Sequence, residues 1–100
     1  GGQSVVDSYG KTTMNEVLIK LQTVANLLEQ YDTIDYVLIG EINWNNARLI
    51  VKWGGEDKQL VSCISTEIIL SITEIDLAQK IYIEQLKFLE AYKEKLNLTF

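Results

Sequence analysis

The chain has 100 residues, enough for one domain with one core, because autonomous domains usually run about 50 to 250 residues. Apolar residues make up 47% and charged residues 23%, with 6 Gly and no Pro, which excludes collagen-like, linker and low-complexity material. Nine Lys and Arg against 14 Asp and Glu give a net charge of −5, which speaks against a non-specific grip on nucleic acid or an anionic membrane; the absence of His excludes a Ser-His-Asp triad, a Cys-His pair and a His-ligated metal within the chain.

The chain opens on Gly, and Met first occurs at position 14. Residues 1–13, rich in Gly and Ser, are expected to be a flexible leader, either a cloning remnant or the tail of a preceding region, with 14–100 forming a single α+β domain. Within that leader, Tyr9-Gly10-Lys11-Thr12-Thr13 resembles the end of a phosphate-binding loop, but Val5 stands where the motif needs Gly and no strand precedes it.

From Thr13 the pattern is helical. Met14, Val17, Leu18, Leu21, Val24, Ala25, Leu28 and Tyr31 recur at three- and four-residue steps, with Thr13 and Glu16 placed for a capping box. Asp32-Thr33-Ile34-Asp35 then breaks the pattern, because short polar side chains bond their own backbone and favour turns.

Residues 36–44 and 47–53 alternate as strands. A two-residue turn at Asn45-Asn46 would pair Trp44 with Ala47, Ile42 with Leu49, Gly40 with Val51 and Leu38 with Trp53, so that both apolar sets share one face. A loop at Gly54-Gly55-Glu56-Asp57 brings Val51 opposite Leu60 and Leu49 opposite Ser62, adding Leu60 and Ile64 to that face. Residues 67–72 form a short apolar run rich in β-branched side chains, read as a fourth strand. The last helix has Thr73 as its cap, Asp76 at the third helical position and an Ile72/Leu77 staple. Its stripe, Ile75, Leu77, Ala78, Ile81, Tyr82, Leu86, Phe88, Leu89, Tyr92 and Leu96, covers about half the circumference.

The expected architecture is a two-layer α+β fold: an N-terminal helix, a four-stranded antiparallel meander and a C-terminal helix, with both helices on the Trp44/Trp53 face. The other face would carry Val37, Ile39, Ile50, Val61 and Ile69, with Glu41, Asn43, Arg48, Lys52, Gln59 and Cys63 around them. An apolar centre with a polar rim suits a protein interface. Ile19, Leu27 and Ile83 also stray from the core stripes of their helices.

Among possible chemical sites, Glu29, Asp32 and Asp35 form an acidic cluster that could offer oxygen ligands to calcium or magnesium, without the spacing or the Gly of an EF-hand. Cys63, the only cysteine, excludes an internal disulfide, fits a reducing compartment and faces Arg48 across the strand pair. No pair of carboxylates is placed for acid–base chemistry. Trp44 and Trp53 read as core.

The acidic charge and the helix–sheet–helix order resemble several small protein-binding classes: bacterial secretion chaperones, immunity or antitoxin proteins, and phage-encoded inhibitors of host defence. The likeness is one of fold and composition, not of motif. The expected function is a non-enzymatic protein-binding module, cytoplasmic and homodimeric, with no cofactor and no nucleic-acid or membrane partner. It would act through Ile39, Glu41, Arg48, Ile50, Lys52 and Val61 on the open sheet face, with Asp32 and Asp35 in an acidic loop. The alternative is a small metal-dependent domain or enzyme using Glu29, Asp32 and Asp35.

Overall fold

In the computed structural model of the protein, residues 2–55 and 58–99 are described, with side chains from 13 to 55 and from 58 to 93. Six elements follow one another: α1 (Gly2–Leu28), β1 (Tyr36–Ile42), β2 (Asn46–Trp53), β3 (Lys58–Ser65), α2 (Thr66–Ser71) and α3 (Glu74–Thr99). The strands form an antiparallel meander in the order β1-β2-β3. The fold is therefore α+β, with three strands among the described residues rather than four.

Helix α1 starts well before the expected cap. Thr13 lies inside it, and the boundary expected between residues 13 and 14 falls in continuous helix. The Gly10-Lys11-Thr12-Thr13 segment is likewise helical, so it forms no loop whose amides could cradle a phosphate. The apolar spacing is otherwise realised: Val17, Leu21, Val24, Ala25 and Leu28 are buried.

The β2–β3 register is the expected one, with Val51 opposite Leu60, Leu49 opposite Ser62 and Arg48 opposite Cys63. Gly54 and Gly55 make that connection possible, both adopting positive φ (80° and 61°). The β1–β2 register is not the expected one. Asn43, not Trp44, closes the hairpin: its N–H donates to the Asn46 carbonyl at 2.9 Å, and its side-chain oxygen accepts from the amides of Asn45 and Asn46 at 2.9 and 3.0 Å. Trp44 and Asn45 thus form the turn, without positive φ. A bulge follows, in which Gly40 and Glu41 face Arg48, and it offsets the strand by one further residue. Ile42 stays on the core side, beside Ala47 rather than the expected Leu49, but beyond the bulge every side chain changes face. Val37 is buried and Ile39 packs on the core, whereas Tyr36 and Leu38 are exposed.

Residues 67–72 are not a strand, because Ser65 ends β3 by capping a helix. Its Oγ accepts from the Ile68 N–H at 3.2 Å, while the Thr66 hydroxyl and N–H donate to the carbonyls of Trp44 and Asn45 at 2.9 and 3.0 Å. Ile69 is fully buried between the exposed Ile68 and Leu70. That in-and-out sequence is common to a strand and to a single helical turn, so the apolar run alone does not separate the two. The α3 cap is as expected: Thr73 Oγ1 accepts from the Asp76 N–H at 3.2 Å.

One apolar cluster joins the α1 stripe, Ala47, Leu49, Val51, Trp53 and Leu60 of the sheet, Ile69 of α2, and Leu77, Ala78 and Ile81 of α3. Three contacts fix α1 and the loop after it against α2 and α3. Lys20 Nζ donates to the carbonyls of Ile72 (2.8 Å) and Leu70 (3.3 Å) and stands 3.9 Å from Glu74, neutralising the carbonyl end of α2. Tyr31 stacks on Tyr82 with ring centroids 3.7 Å apart. Gln85, fully buried, donates to the Thr33 carbonyl at 2.9 Å and accepts from the Thr33 hydroxyl at 3.0 Å.

These contacts run in the same order along α3 and along α1 with the loop that continues it, so α1 and α3 are parallel and staggered. From the Lys20–Glu74 contact, 18 residues of α1 run one way and 25 residues of α3 the other. At about 1.5 Å per residue, they account for nearly all of the 66 Å long axis.

Candidate functional site: the exposed side of the sheet

The side of the sheet turned away from the core cluster carries a row of apolar side chains. Leu38, Ile50 and Val61 are directly opposite one another across the three strands. Leu38 and Val61 are 46% and 47% exposed, and Ile50, on the central strand between them, is half-buried by its neighbours. Tyr36, Lys52 and Gln59 form the next rank, and Arg48 with Cys63 the rank on the other side, next to Glu41 in the bulge.

Of the expected site residues, Arg48, Ile50, Lys52 and Val61 therefore share this side, and Glu41 is exposed at its margin. Ile39 does not: it pairs with Leu49 and packs against the core. Leu38 takes the place expected for Ile39, because the bulge reverses the parity of β1. Val37 and Ile69, also expected on this side, are buried. Trp44, expected in the core, is 66% exposed in the β1–β2 turn, while Trp53 is buried as expected. Of the strays, Ile19 and Ile83 are exposed and Leu27 packs on the core cluster.

The acidic loop is drawn into the fold. Glu29 Oε2 accepts from the Val37 N–H at 3.2 Å, and Asp35 Oδ2 accepts from the Gly55 N–H at 2.9 Å, while Asp32 is exposed. The carboxylates thus serve separate backbone amides, and no group of three His, Cys, Asp or Glu suited to a metal ion occurs among the described residues. Cys63 is exposed beside Arg48. No helix among the described residues is long and apolar enough to cross a membrane.

What sequence reasoning missed is the pair Leu38 and Tyr36. The signal that could have found them is Asn43, whose side chain competes with Asn45 and Asn46 for control of the turn, followed by Gly40, the residue type that most readily admits a bulge. Compared with protein-family models, curated proteins and solved structures, the chain gives no match.

Proposed function

We infer that this protein is a small non-enzymatic binding module that docks another protein on the exposed side of its sheet. Both helices lie over the Leu49/Val51 side, which leaves the Leu38–Ile50–Val61 row for a partner. That row is the observation that carries the reading: three large apolar side chains in register across every strand, two of them nearly half exposed. A sheet face that met only water would alternate polar side chains there.

Charge indicates what the partner presents. Arg48 and Lys52 flank Ile50 on the central strand, and Glu41 is the one carboxylate at this margin among the described residues, so their part of the face is locally positive in a chain of net charge −5. A partner with an apolar patch rimmed by carboxylates complements it. A second copy docked face to face does not. A two-fold axis lying between the faces brings Arg48 and Lys52 against their own equivalents if it runs along the strands and against each other if it runs across them, like charges in both cases. The exposed Asp32, on the loop after α1, supports contact with a basic element of the partner outside the sheet.

The test compares capture from a host extract by the wild-type chain and by Leu38→Asp, Ile50→Lys and Ile83→Asp. A protein retained by wild type and by Ile83→Asp, and lost from both sheet variants, is the expected result. Affinity for it falls by about 2 kcal/mol or more for Ile50→Lys, since a central contact is replaced by a charge. Retention of the same proteins by all four chains would refute the reading.

A further inference from the structure

The two edges of the sheet are treated differently. On β1, the outward N–H of Val37 is taken by Glu29, the strand is bent by its bulge, and α1 packs close by. These are devices that stop a strand edge from recruiting another strand. The β2–β3 ladder, by contrast, is regular. The Thr66 N–H bond to the Asn45 carbonyl fixes its parity, so the even-numbered residues of β3 bond to β2. The N–H and C=O groups of Gln59, Val61 and Cys63 therefore point away from the sheet, and they meet no partner among the described residues.

Helix α3 follows that edge. Two pockets lie in the crease between strand and helix: one, near 250 Å³, joins Val61 to Ser65 with Leu77, Lys80, Ile81 and Glu84; the other, near 220 Å³, joins Lys58, Gln59 and Trp53 with Phe88 and Tyr92. The order is reversed between the two elements, so α3 runs antiparallel to β3. From Leu77 to Tyr92 the helix rises about 22 Å, and from Lys58 to Ser65 the strand extends about 24 Å, so the crease accompanies β3 along its length. Each pocket is smaller than the roughly 300–1,000 Å³ of a small-molecule site and suits a single side chain. Buried polar groups are nearly always hydrogen-bonded. The two buried side-chain atoms without a partner among the described residues, Ser62 Oγ and Trp53 Nε1, belong to residues that line these pockets, one in each.

We propose that this edge takes a short extended segment of another protein, which adds as a fourth strand antiparallel to β3 and sets its alternate side chains into the crease. The free main-chain groups select a strand, because only an extended backbone presents N–H and C=O at their spacing. Parity selects the side chains. Ser62 and Lys58 lie on the same side of β3, so the segment residues opposite them, four apart, enter the two pockets. The lining selects their character: Leu77, Ile81, Phe88 and Tyr92 favour apolar groups. Lys58, whose ammonium sits 4.8 Å from the centre of the Tyr92 ring, and Lys80 have no carboxylate within ion-pair distance among the described residues. Glu84 is the single carboxylate among the lining residues, so an acidic residue in the segment is favoured over a basic one. Ile68 closes the crease beyond Ser65. A free segment can end or turn away there, whereas β3 of a second copy would have to run on past it.

The probe is a displayed library of random linear peptides, selected on the whole chain. Binders should carry apolar residues at alternate positions and at least one acidic residue. Val61→Pro deletes an outward N–H that the β2–β3 ladder does not use, and should lower the affinity of a selected peptide roughly tenfold or more. Ile83→Asp, outside both pockets, should leave it unchanged. Selection on Lys58→Glu should return peptides that have lost the acidic residue. Backbone N-methylation of a selected peptide decides the matter even if Val61→Pro fails to fold: methyl groups on every second amide, those facing β3, should abolish binding, and those on the amides between should not. The proposal is overturned by a library that returns no binder, by N-methyl effects without that alternation, or by acidic peptides selected equally on Lys58→Glu. A dimer of the free chain that Val61→Pro dissolves would overturn it too, by giving the edge to a second copy.

Discussion

Gln85 is the one long polar side chain that is fully buried among the described residues, and it holds the loop after α1 against α3. Replacing it with Met keeps the length and the apolar stem but removes both bonds to Thr33. Each neutral hydrogen bond contributes about 1 kcal/mol net, and the Thr33 carbonyl loses the partner its position relies on, so the loss should be about 2–3 kcal/mol. For a domain of this size that lowers the melting temperature by roughly 10–15 °C. Thr33→Val removes only the hydroxyl bond and should cost about 1 kcal/mol; combined with Gln85→Met it should add almost nothing, a coupling of about 1 kcal/mol in a double-mutant cycle. Urea unfolding followed through the buried Trp53, in a Trp44→Phe background, measures all four chains. If Gln85→Met stays within about 0.5 kcal/mol of the parent, as an idle surface substitution would, the clamp is not holding the loop and the argument fails.

Ser62 faces the core opposite Leu49, 8% exposed, with an Oγ that has no hydrogen-bond partner among the described residues. Ser62→Ala should therefore stabilise the fold by about 1 kcal/mol, read as a higher urea midpoint at unchanged slope. Ser65→Ala deletes the α2 cap and should cost about 1 kcal/mol, with the loss visible as faster amide exchange at Ile68. Trp44 is largely exposed, so Trp44→Phe should leave stability nearly unchanged while removing the component of fluorescence that acrylamide quenches most.

Helix α3, the part of α1 from Met14 onward and the β2–β3 pair were legible in the sequence because each rests on repeated signals, whereas α2 was read as a strand. Five apolar positions of α1 agree with one another, and Thr73 with Asp76 marks the start of α3 independently of its stripe. At β3, a single loop placement satisfied Leu60, Ser62 and Ile64 together. The β1 register rested on one turn, and three neighbouring asparagines could each have closed it. Choosing Asn45-Asn46 moved the closure by one residue, which preserved Ile42, but the bulge at Gly40 and Glu41 then reversed Val37 to Ile39. Gly40 is the local cue to the bulge, and it is a weak one in a strand whose two faces are almost equally apolar. The same equality hid the proposed docking surface, since exchanging Leu38 for Ile39 leaves the composition of the exposed row unchanged. Gln85 was invisible for a different reason: a Gln on a long, mostly polar helix reads as surface, and only the arrival of Thr33, 52 residues away in sequence, makes it a buried partner.

The parallel stagger of α1 and α3 determines how the molecule bears tension. Because the two helices overhang the sheet in opposite directions, a pull between residues near Gly2 and Thr99 is directed along the helix pair rather than across it. The Lys20 contacts, the Tyr31–Tyr82 stack and the Gln85–Thr33 clamp are then loaded together, in shear, instead of opening one after another from an end. The three strands lie off that line, in a meander whose hairpins do not transmit it. Built this way, the chain opposes a pull between its two helix ends through those contacts, with its sheet carried on the side.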